Sequence, residues 1–199
     1  MARKKQPRSQ PKPAQNHQQP QQLRIIAGQW RGRKLSFAVA PGLRPTPDRV
    51  RETLFNWLQG KLQGRRCLDL FAGSGALGFE AISRGAAEVV MVESHHDAIR
   101  YLQENIGLLK AENIELQKGD AFKYLHHCQQ PFDIIFIDPP FAKDYWVELL
   151  DRIREYSLLA DNGLIYIEHP KSEEIAFEGF EILKKKQAGA VVSLLLTVP

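Results

Sequence analysis

From residue 66 onward, short apolar runs alternate with stretches of helical periodicity, and this pattern constrains the fold more than any other feature. The apolar runs include 67–71, 88–93 and 132–138, each of strand length. Apolar strands separated by helices are typical of a mainly parallel sheet that helices cover on both faces. The sequence therefore predicts an α/β domain over residues 65–199, with ligands at the carboxyl edge of its sheet.

The same reasoning predicts the remaining elements of this domain. A chain of 199 residues fits one such domain with a small appendage. We expect the chain to close with a hairpin whose strands, 180–186 and 190–198, are joined across Gly189. The other predicted helices span 76–84, 95–110, 121–127 and 145–158, and the other predicted strands span 114–117 and 163–168.

Charge divides the chain into two unlike parts. Residues 1–66 contain 15 Lys and Arg against 2 Asp and Glu, a net charge of +13, whereas residues 67–199 contain 12 against 21, a net charge of −9. A basic arm on an acidic body is typical of proteins that bind polyanions, although a solvated tail without a partner produces the same pattern. Residues 1–22 are rich in Gln and Pro, and we predict that they form a disordered basic tail.

Residues 23–64 are predicted to form an ordered basic extension. Two short strands around Gly32 indicate a hairpin. After it, Thr46 is a suitable N-cap and Pro47 a suitable first residue for a helix. The apolar stripe expected on that helix consists of Val50, Leu54, Trp57 and Leu58.

A glycine-rich turn follows the first strand of the α/β domain. Gly73, Gly75 and Gly78 have the spacing G-x-G-x-x-G between a strand and a helix, and Glu93 follows 20 residues after Gly73. Such glycines permit a tight turn and a close ligand, and a carboxylate at the end of the second strand can accept hydrogen bonds from a ribose diol. The combination indicates a nucleoside-containing cofactor, and the alternative is a plain strand–turn–helix joint.

Two further carboxylates bear on which cofactor binds, because NAD and S-adenosylmethionine (SAM) both present an adenosine ribose to such a turn. Asp69 lies four residues before Gly73, where it would repel a pyrophosphate but suits the ammonium and sulfonium groups of SAM. Asp120 follows the third strand. It either accepts a hydrogen bond from the adenine amino group or caps the helix that begins at Ala121, and the two roles are compatible.

A rigid turn, Asp138-Pro-Pro-Phe141, ends the most apolar strand. Two prolines force an extended backbone, which leaves the Asp138 side chain and the Pro139 carbonyl as acceptors beside the ring of Phe141. Two acceptors beside an aromatic ring match the exocyclic amino group of a stacked nucleobase. The alternative is a Pro-Pro strand stop without a function.

Together these motifs resemble the bacterial 16S ribosomal RNA (guanine-N2)-methyltransferase family. The resemblance covers residues 23–199 and includes the basic blocks 24–35 and 42–57. It implies a Rossmann-like, mostly parallel seven-stranded sheet with an antiparallel last strand, and methyl transfer from SAM to N2 of one guanine in small-subunit ribosomal RNA. The site residues expected from these motifs are Asp138, Pro139, Pro140 and Phe141 for catalysis, and Asp69, Phe71, Gly73, Gly75, Glu93, Asp120 and Ala121 for the cofactor.

Contacts with RNA are expected from the N-terminal extension. Trp30 either stacks on a base or belongs to the core of the hairpin. The arginines are expected to contact RNA phosphates, although some could instead pair with Asp48 or Glu52 or reach the cofactor carboxylate. The candidate RNA-binding residues are Arg24, Trp30, Arg31, Arg33, Lys34, Arg44, Arg49 and Arg51.

Other functions fit the motifs less well. An amino-methyltransferase that acts on DNA, on another RNA or on a protein is the nearest alternative. An NAD-dependent oxidoreductase is opposed by Asp69 and the Asp138 turn, and intact motifs oppose a non-enzymatic RNA-binding protein. The two Cys residues and the adjacent His pairs lack metal-ligand spacing, so no metal is expected. Without a secretory or membrane segment, we expect a cytoplasmic monomer whose partner is 16S rRNA within the small subunit or its assembly intermediate.

Overall fold

The computed structural model of the protein describes residues 20–38, 46–140 and 145–199. The strands in these residues are β1 (Gln21–Arg24), β2 (Lys34–Phe37), β3 (Arg66–Asp69), β4 (Glu88–Glu93), β5 (Ile114–Lys118), β6 (Phe132–Ile137), β7 (Leu159–Pro170), β8 (Glu181–Ala188) and β9 (Val191–Thr197). The helices are α1 (Asp48–Trp57), α2 (Ala76–Ser83), α3 (His96–Leu109), α4 (Ala121–His127) and α5 (Trp146–Glu155).

Strands β3 to β9 form one seven-stranded sheet in the order β5-β4-β3-β6-β7-β9-β8. Strands β3 to β7 pair in parallel, and β9, the last strand, is antiparallel to both of its neighbours. This confirms the predicted sheet. The direction of winding reverses between β3 and β6, so the crevice in which open α/β sheets bind ligands lies at their carboxyl ends.

Helices cover the sheet on both faces. Along β6, Ile134 and Phe136 pack with α1, α2 and α3, whereas Ile135 and Ile137 pack with α4 and α5. Because successive side chains of a strand point to opposite faces, a central strand with helices on both sides must be apolar throughout. The apolar runs in the sequence therefore predicted the layers correctly.

The N-terminal hairpin begins two residues earlier than predicted. Gln21 pairs with Phe37 and Gln22 with Ser36 in an antiparallel ladder, so both glutamines belong to β1 and not to a disordered tail. The prediction was wrong there because strand pairing uses backbone groups, which exposed Gln residues supply as well as apolar ones. Residues 1–19 of the predicted tail lie outside the described residues.

The hairpin is docked on α2 through its connecting loop. Glu80, which is fully buried, accepts hydrogen bonds from the amides of Ile26 at 2.8 Å and Ala27 at 3.0 Å. Gly28 has φ +82°, and a Cβ there would lie 1.7 Å from the carbonyl oxygen of Ser83, so only glycine fits. The hairpin also shares its hydrophobic core with α1, α2 and α3. The extension is therefore built into the α/β domain and does not hang free from it.

Helix α1 differs from its prediction at its start and in its buried face. Pro47 occupies the N-cap position, and Thr46, the predicted N-cap, makes no capping hydrogen bond. The buried stripe contains Phe55 in place of Trp57, and Arg51 in place of Val50. The side chains that are fully buried, at i, i+3, i+4 and i+7, are Arg51, Leu54, Phe55 and Leu58.

Arg51 is buried between two carboxylates, those of Asp48 and Glu80. Its Nη2 donates to Asp48 Oδ1 at 2.6 Å and to the Arg24 carbonyl at 2.9 Å, and its Nη1 lies 3.7 Å from Glu80 Oε2. A carboxylate without solvent needs a cation and hydrogen-bond donors nearby. The expectation that Arg51 contacts RNA is therefore wrong, and the expected alternative, pairing with Asp48, is confirmed.

The remaining differences concern element ends. β7 begins at Leu159, four residues before the predicted start, and α5 ends at Glu155, three residues before its predicted end. Within the described parts of the chain, no helix is long and apolar enough to span a bilayer.

Candidate active site

The glycine turn lies between β3 and α2, as predicted. Gly75 has φ +76°, and a Cβ at this position would lie 2.5 Å from the Phe79 ring. A Cβ on Gly78 would lie 2.4 Å from Met91 Cε, so this glycine permits close packing of α2 on β4. The spacing therefore provides the predicted tight turn, and it also permits close contact between helix and strand, which was not predicted from the sequence.

Glu93 ends β4 and holds the glycine turn in place. Its Oε2 accepts a hydrogen bond from the Gly73 amide at 2.7 Å, and its Oε1 accepts from the amides of Ser94 at 2.8 Å and His95 at 2.7 Å. A carboxylate has about four acceptor sites, and three are used here. Glu93 thus lies against the turn as the sequence predicted, with acceptor capacity left over.

Asp69 ends β3 and is almost fully buried beneath the glycine turn. Its Oδ2 accepts a hydrogen bond from the Gly78 amide at 2.9 Å. Burial raises the pKa of Asp69 to about 7; the Gly78 hydrogen bond opposes this shift, and the nearby carboxylates of Asp138 and Glu93 add to it. Three carboxylates therefore converge at the edge of the sheet, where a cationic ligand would be stabilised.

The other candidate cofactor residues border the same edge. Asp120 accepts a hydrogen bond from the Lys123 amide at 3.1 Å, which confirms the helix-capping role that the sequence left open. Ala121 is buried in the first turn of α4, and Phe71 is half-buried against the core beside that helix. Asp120 therefore already has a structural role, which a contact with adenine would supplement.

Asp138 directly follows β6 and is half-buried. Thr46 Oγ1, on the segment that leads into α1, donates a hydrogen bond to Asp138 Oδ2 at 3.2 Å. Burial raises the pKa of Asp138, and the Thr46 hydrogen bond opposes that shift. Pro139 is buried, Pro140 is exposed, and Phe141 lies outside the described residues.

A buried carboxylate, that of Glu168, stands beside Asp138 and was missed in the sequence. Glu168 lies in β7 one position beyond Ile167, which pairs with Ile137, so Glu168 and Asp138 are neighbours across two parallel strands. Tyr166 donates a hydrogen bond to Glu168 Oε1 at 2.6 Å. Burial, and after it the charge of Asp138, raises the pKa of Glu168. An acidic residue in the apolar run 164–168 was the signal that could have revealed it.

The described RNA-binding candidates fall into two groups. The side chains of one group are exposed and therefore accessible to RNA. Those of Trp30 and Arg51 are not exposed. Trp30 is half-buried against the core, in agreement with its structural alternative. Arg51 is excluded by its burial, and Arg44 lies outside the described residues. The exposed candidates are Arg24, Arg31, Arg33, Lys34 and Arg49.

Comparison with known proteins places this site in a family. The profile of the family described as Conserved hypothetical protein 95 matches residues 23–197. Two similar proteins are named Ribosomal RNA small subunit methyltransferase D. The protein from Escherichia coli K12 is 47% identical over 153 residues, and the match covers 77% of each chain. The protein from Haemophilus influenzae is 43% identical over 175 residues, and the match covers 85% of this chain and 91% of that protein. The chain belongs to the ribosomal RNA small subunit methyltransferase D family.

A solved structure supports the same conclusion for the fold. The Escherichia coli protein yhhF superposes with a TM-score of 0.81 and 42% identity, over 89% of this chain and 98% of that chain. The resemblance seen in the motifs and the Rossmann-like methyltransferase fold are thereby confirmed. In the described residues, no group of three or more His, Cys, Asp or Glu side chains is arranged to hold a metal ion.

Proposed function

We propose that this protein transfers a methyl group from SAM to the exocyclic N2 amino group of a guanine in 16S ribosomal RNA of the small subunit. The proposal rests on the position of Asp138, a half-buried carboxylate in a rigid Asp-Pro-Pro turn that lies near the carboxylates of Asp69 and Glu93. The membership of the chain in the methyltransferase D family supports the choice of ribosomal RNA as substrate.

The carboxylates of Asp69, Glu93 and Asp138 match the positive charges of SAM. Asp69 is buried, no cation of the described residues lies near enough to lower its pKa, and the neighbouring carboxylates of Asp138 and Glu93 raise that pKa further. A ligand with an ammonium and a sulfonium would relieve this repulsion, whereas a pyrophosphate would increase it. Glu93 would hold the ribose through its remaining acceptor capacity, and Asp120 would lie near the adenine. SAM supplies a methyl group activated by its sulfonium.

Asp138 would act on the amino group that receives the methyl group. The lone pair of an exocyclic amino nitrogen is delocalised into the ring, so the nitrogen is a poor nucleophile. Hydrogen bonds from its two protons to the Asp138 carboxylate and the Pro139 carbonyl would orient the lone pair and stabilise the positive charge that develops on nitrogen. The Thr46 hydrogen bond would fix the orientation of the Asp138 carboxylate, and it favours the ionised form against the effect of burial. The methylated nitrogen then loses one proton, to Asp138 or to solvent.

The basic extension would position the RNA. The exposed cations of the hairpin, with Arg49 on α1, can contact phosphate oxygens and set the register of the RNA over Asp138. We further propose that the protein acts as a cytoplasmic monomer on the small subunit or on its assembly intermediate.

A transfer assay with four substrates tests the proposal. The full chain is supplied with labelled SAM and with unmodified small-subunit RNA, assembled small subunits, tRNA or DNA, and any labelled base is mapped. We expect label on N2 of one guanine, in the naked or assembled small-subunit RNA only. Label in tRNA or DNA alone, or on another atom, would contradict the proposed substrate.

A further inference from the structure

A cleft of about 300 Å³ lies between α1 and the hairpin formed by β8 and β9, and it does not include the residues of the candidate active site described above. Arg49 and Thr53 of α1 line one wall, and Lys186 and Ser193 line the other. Among the described residues, those that line the cleft include two cations and no carboxylate. The cleft is therefore basic, although residues 67–199 as a whole carry a net charge of −9.

The lysines of β8 are divided between the two faces of the sheet. Lys185 pairs with Leu194 and Lys186 with Ser193, so their side chains alternate. Leu194 packs in the core beneath α4 and α5, which places Lys185 on that face. Lys186 is on the opposite face, and its Nζ donates a hydrogen bond to Thr53 Oγ1 of α1 at 2.8 Å. The Lys186 ammonium is thus held at the cleft, and that of Lys185 points away from it.

The cations at this edge are available to an anion. Arg49, Lys185 and Lys186 are all exposed. Within the described parts of the chain, no carboxylate lies within ion-pair distance of any of them. Thr53 and Ser193 add hydroxyl groups, which commonly accompany Arg and Lys in contacts with a nucleic-acid backbone.

The cleft opens on the same edge of the sheet as Asp138. Glu168, the neighbour of Asp138, pairs with Ser193, and Ser193 pairs with Lys186, so a single row crosses four adjacent strands. With about 4.8 Å between strands, the β8 backbone lies roughly 14 Å from that of β6. On the other wall, Arg49 follows Thr46, the partner of Asp138, by three residues.

We propose that this cleft binds a phosphodiester group of the RNA strand whose base enters the Asp138 turn. Arg49 and Lys186 contact the phosphate oxygens, and Thr53 holds Lys186 in place before the RNA binds. The contact extends the RNA-binding surface from the N-terminal hairpin across α1 to the opposite edge of the sheet. The proposal rests on the proposed function, because a phosphate at this distance has a role only if a nucleotide occupies the active site.

Two adjacent lysines provide a matched test. Lys186→Ala removes a cation from the cleft, and Lys185→Ala removes the same charge from the same strand on the other face. Affinity of the full chain for unmodified small-subunit RNA is measured from 50 to 200 mM salt, with SAM affinity as a folding control. Each lost phosphate contact lowers the salt slope by about 0.7–0.9, so Arg49→Ala combined with Lys186→Ala should lower it by about 1.5.

When the salt concentration rises fourfold, the affinity of the wild type for RNA should fall by a factor about eight times larger than the affinity of the double variant does. Lys186→Ala should show about half of this change in slope, and Lys185→Ala should keep the wild-type slope. Equal slopes for Lys185→Ala and Lys186→Ala would overturn the cleft proposal, even where the wild type methylates small-subunit RNA. Failure of the wild type to bind or methylate that RNA would overturn the proposed function as well.

Discussion

Thr46 Oγ1 donates a hydrogen bond to Asp138 Oδ2 at 3.2 Å across 92 residues of sequence. The contact joins the segment before α1, which belongs to the basic extension, to the turn that ends β6. It gives the extension a direct influence on the ionisation of the carboxylate proposed to bind the amino group. The extension proposed to bind RNA and the carboxylate proposed to bind the amino group are therefore linked through one side chain.

Replacement of Thr46 should change the pH dependence of methyl transfer. Thr46→Val removes a hydrogen bond that lowers the pKa of Asp138, so the carboxylate becomes ionised only at higher pH. The acidic limb of the kcat profile should move to higher pH, and kcat at neutral pH should fall by about tenfold, since a hydrogen bond to a charged group contributes about 1.5–3 kcal/mol. Thr46→Ser should restore both. An unchanged profile would show that the hydroxyl does not act on Asp138.

Replacement of Asp138 should change the titration of its neighbour Glu168. Burial, and after it the charge of Asp138, raises the pKa of Glu168, and Asp138→Asn removes that charge. The pKa of Glu168 should therefore fall in Asp138→Asn, while burial still keeps it above the ordinary value. NMR titration of the Glu168 carboxyl carbon in the wild type and the variant measures this change. An unchanged pKa of Glu168 would contradict the assignment of the two carboxylates as a repelling pair.

Asp69 should make the stability of the ligand-free protein depend on pH. Its pKa is about 7 in the folded chain against an ordinary value of 3.8, so between these values the folded state holds a proton that the unfolded state has lost. The stability that this group contributes is full below its ordinary pKa and is lost as the pH rises to about 7.

Asp69→Asn should remove this dependence and weaken SAM binding, because the ammonium loses its counter-charge. Urea unfolding of the wild type and the variant across this pH range measures the first effect, and calorimetry with SAM measures the second. A constant difference in unfolding free energy between the two proteins at all pH values would contradict the raised pKa.

Glu80 should be critical for folding and not for chemistry. Glu80→Ala removes a buried carboxylate that pairs with Arg84 at 2.6 Å, lies 3.7 Å from Arg51 and accepts hydrogen bonds from two hairpin amides, which should cost about 3–5 kcal/mol of unfolding free energy. Glu104→Ala is a matched control, since Glu104 forms an exposed pair with Arg100 and such pairs contribute about 0–1 kcal/mol. Similar urea midpoints for the two variants would contradict the importance of the buried pair.

The sequence predicted those parts of the site that depend on local pattern. The glycine turn, Glu93, Asp69 and Asp138 all lie at ends of strands that the apolar runs identify, and parallel strands bring such ends to one edge. Contacts between distant segments could not be predicted. Thr46 has the residue type of a helix cap, and only the packed structure turns its hydroxyl toward Asp138.

Charged residues were the other source of error. Arg51 counts as a surface cation in any hydropathy pattern, yet its spacing from Leu54, Phe55 and Leu58 is that of a buried stripe. Its partner, Glu80, lies in a different helix, so no local signal links the two. Glu168 was missed for a related reason, because its neighbour Asp138 is on an adjacent strand.

We propose that Asp138 acts on the amino group and not on the cofactor. The direct measurement compares Asp138→Ala with the wild type in methyl transfer to small-subunit RNA and in SAM binding. Asp133→Ala is the control on the same strand, since Asp133 pairs with Arg65 at the opposite end of β6. We expect kcat to fall by about 10²–10³-fold or more in Asp138→Ala, with SAM affinity largely retained and Asp133→Ala active. Near-normal turnover in Asp138→Ala, or loss of SAM binding equal to the loss of transfer, would contradict this role of Asp138.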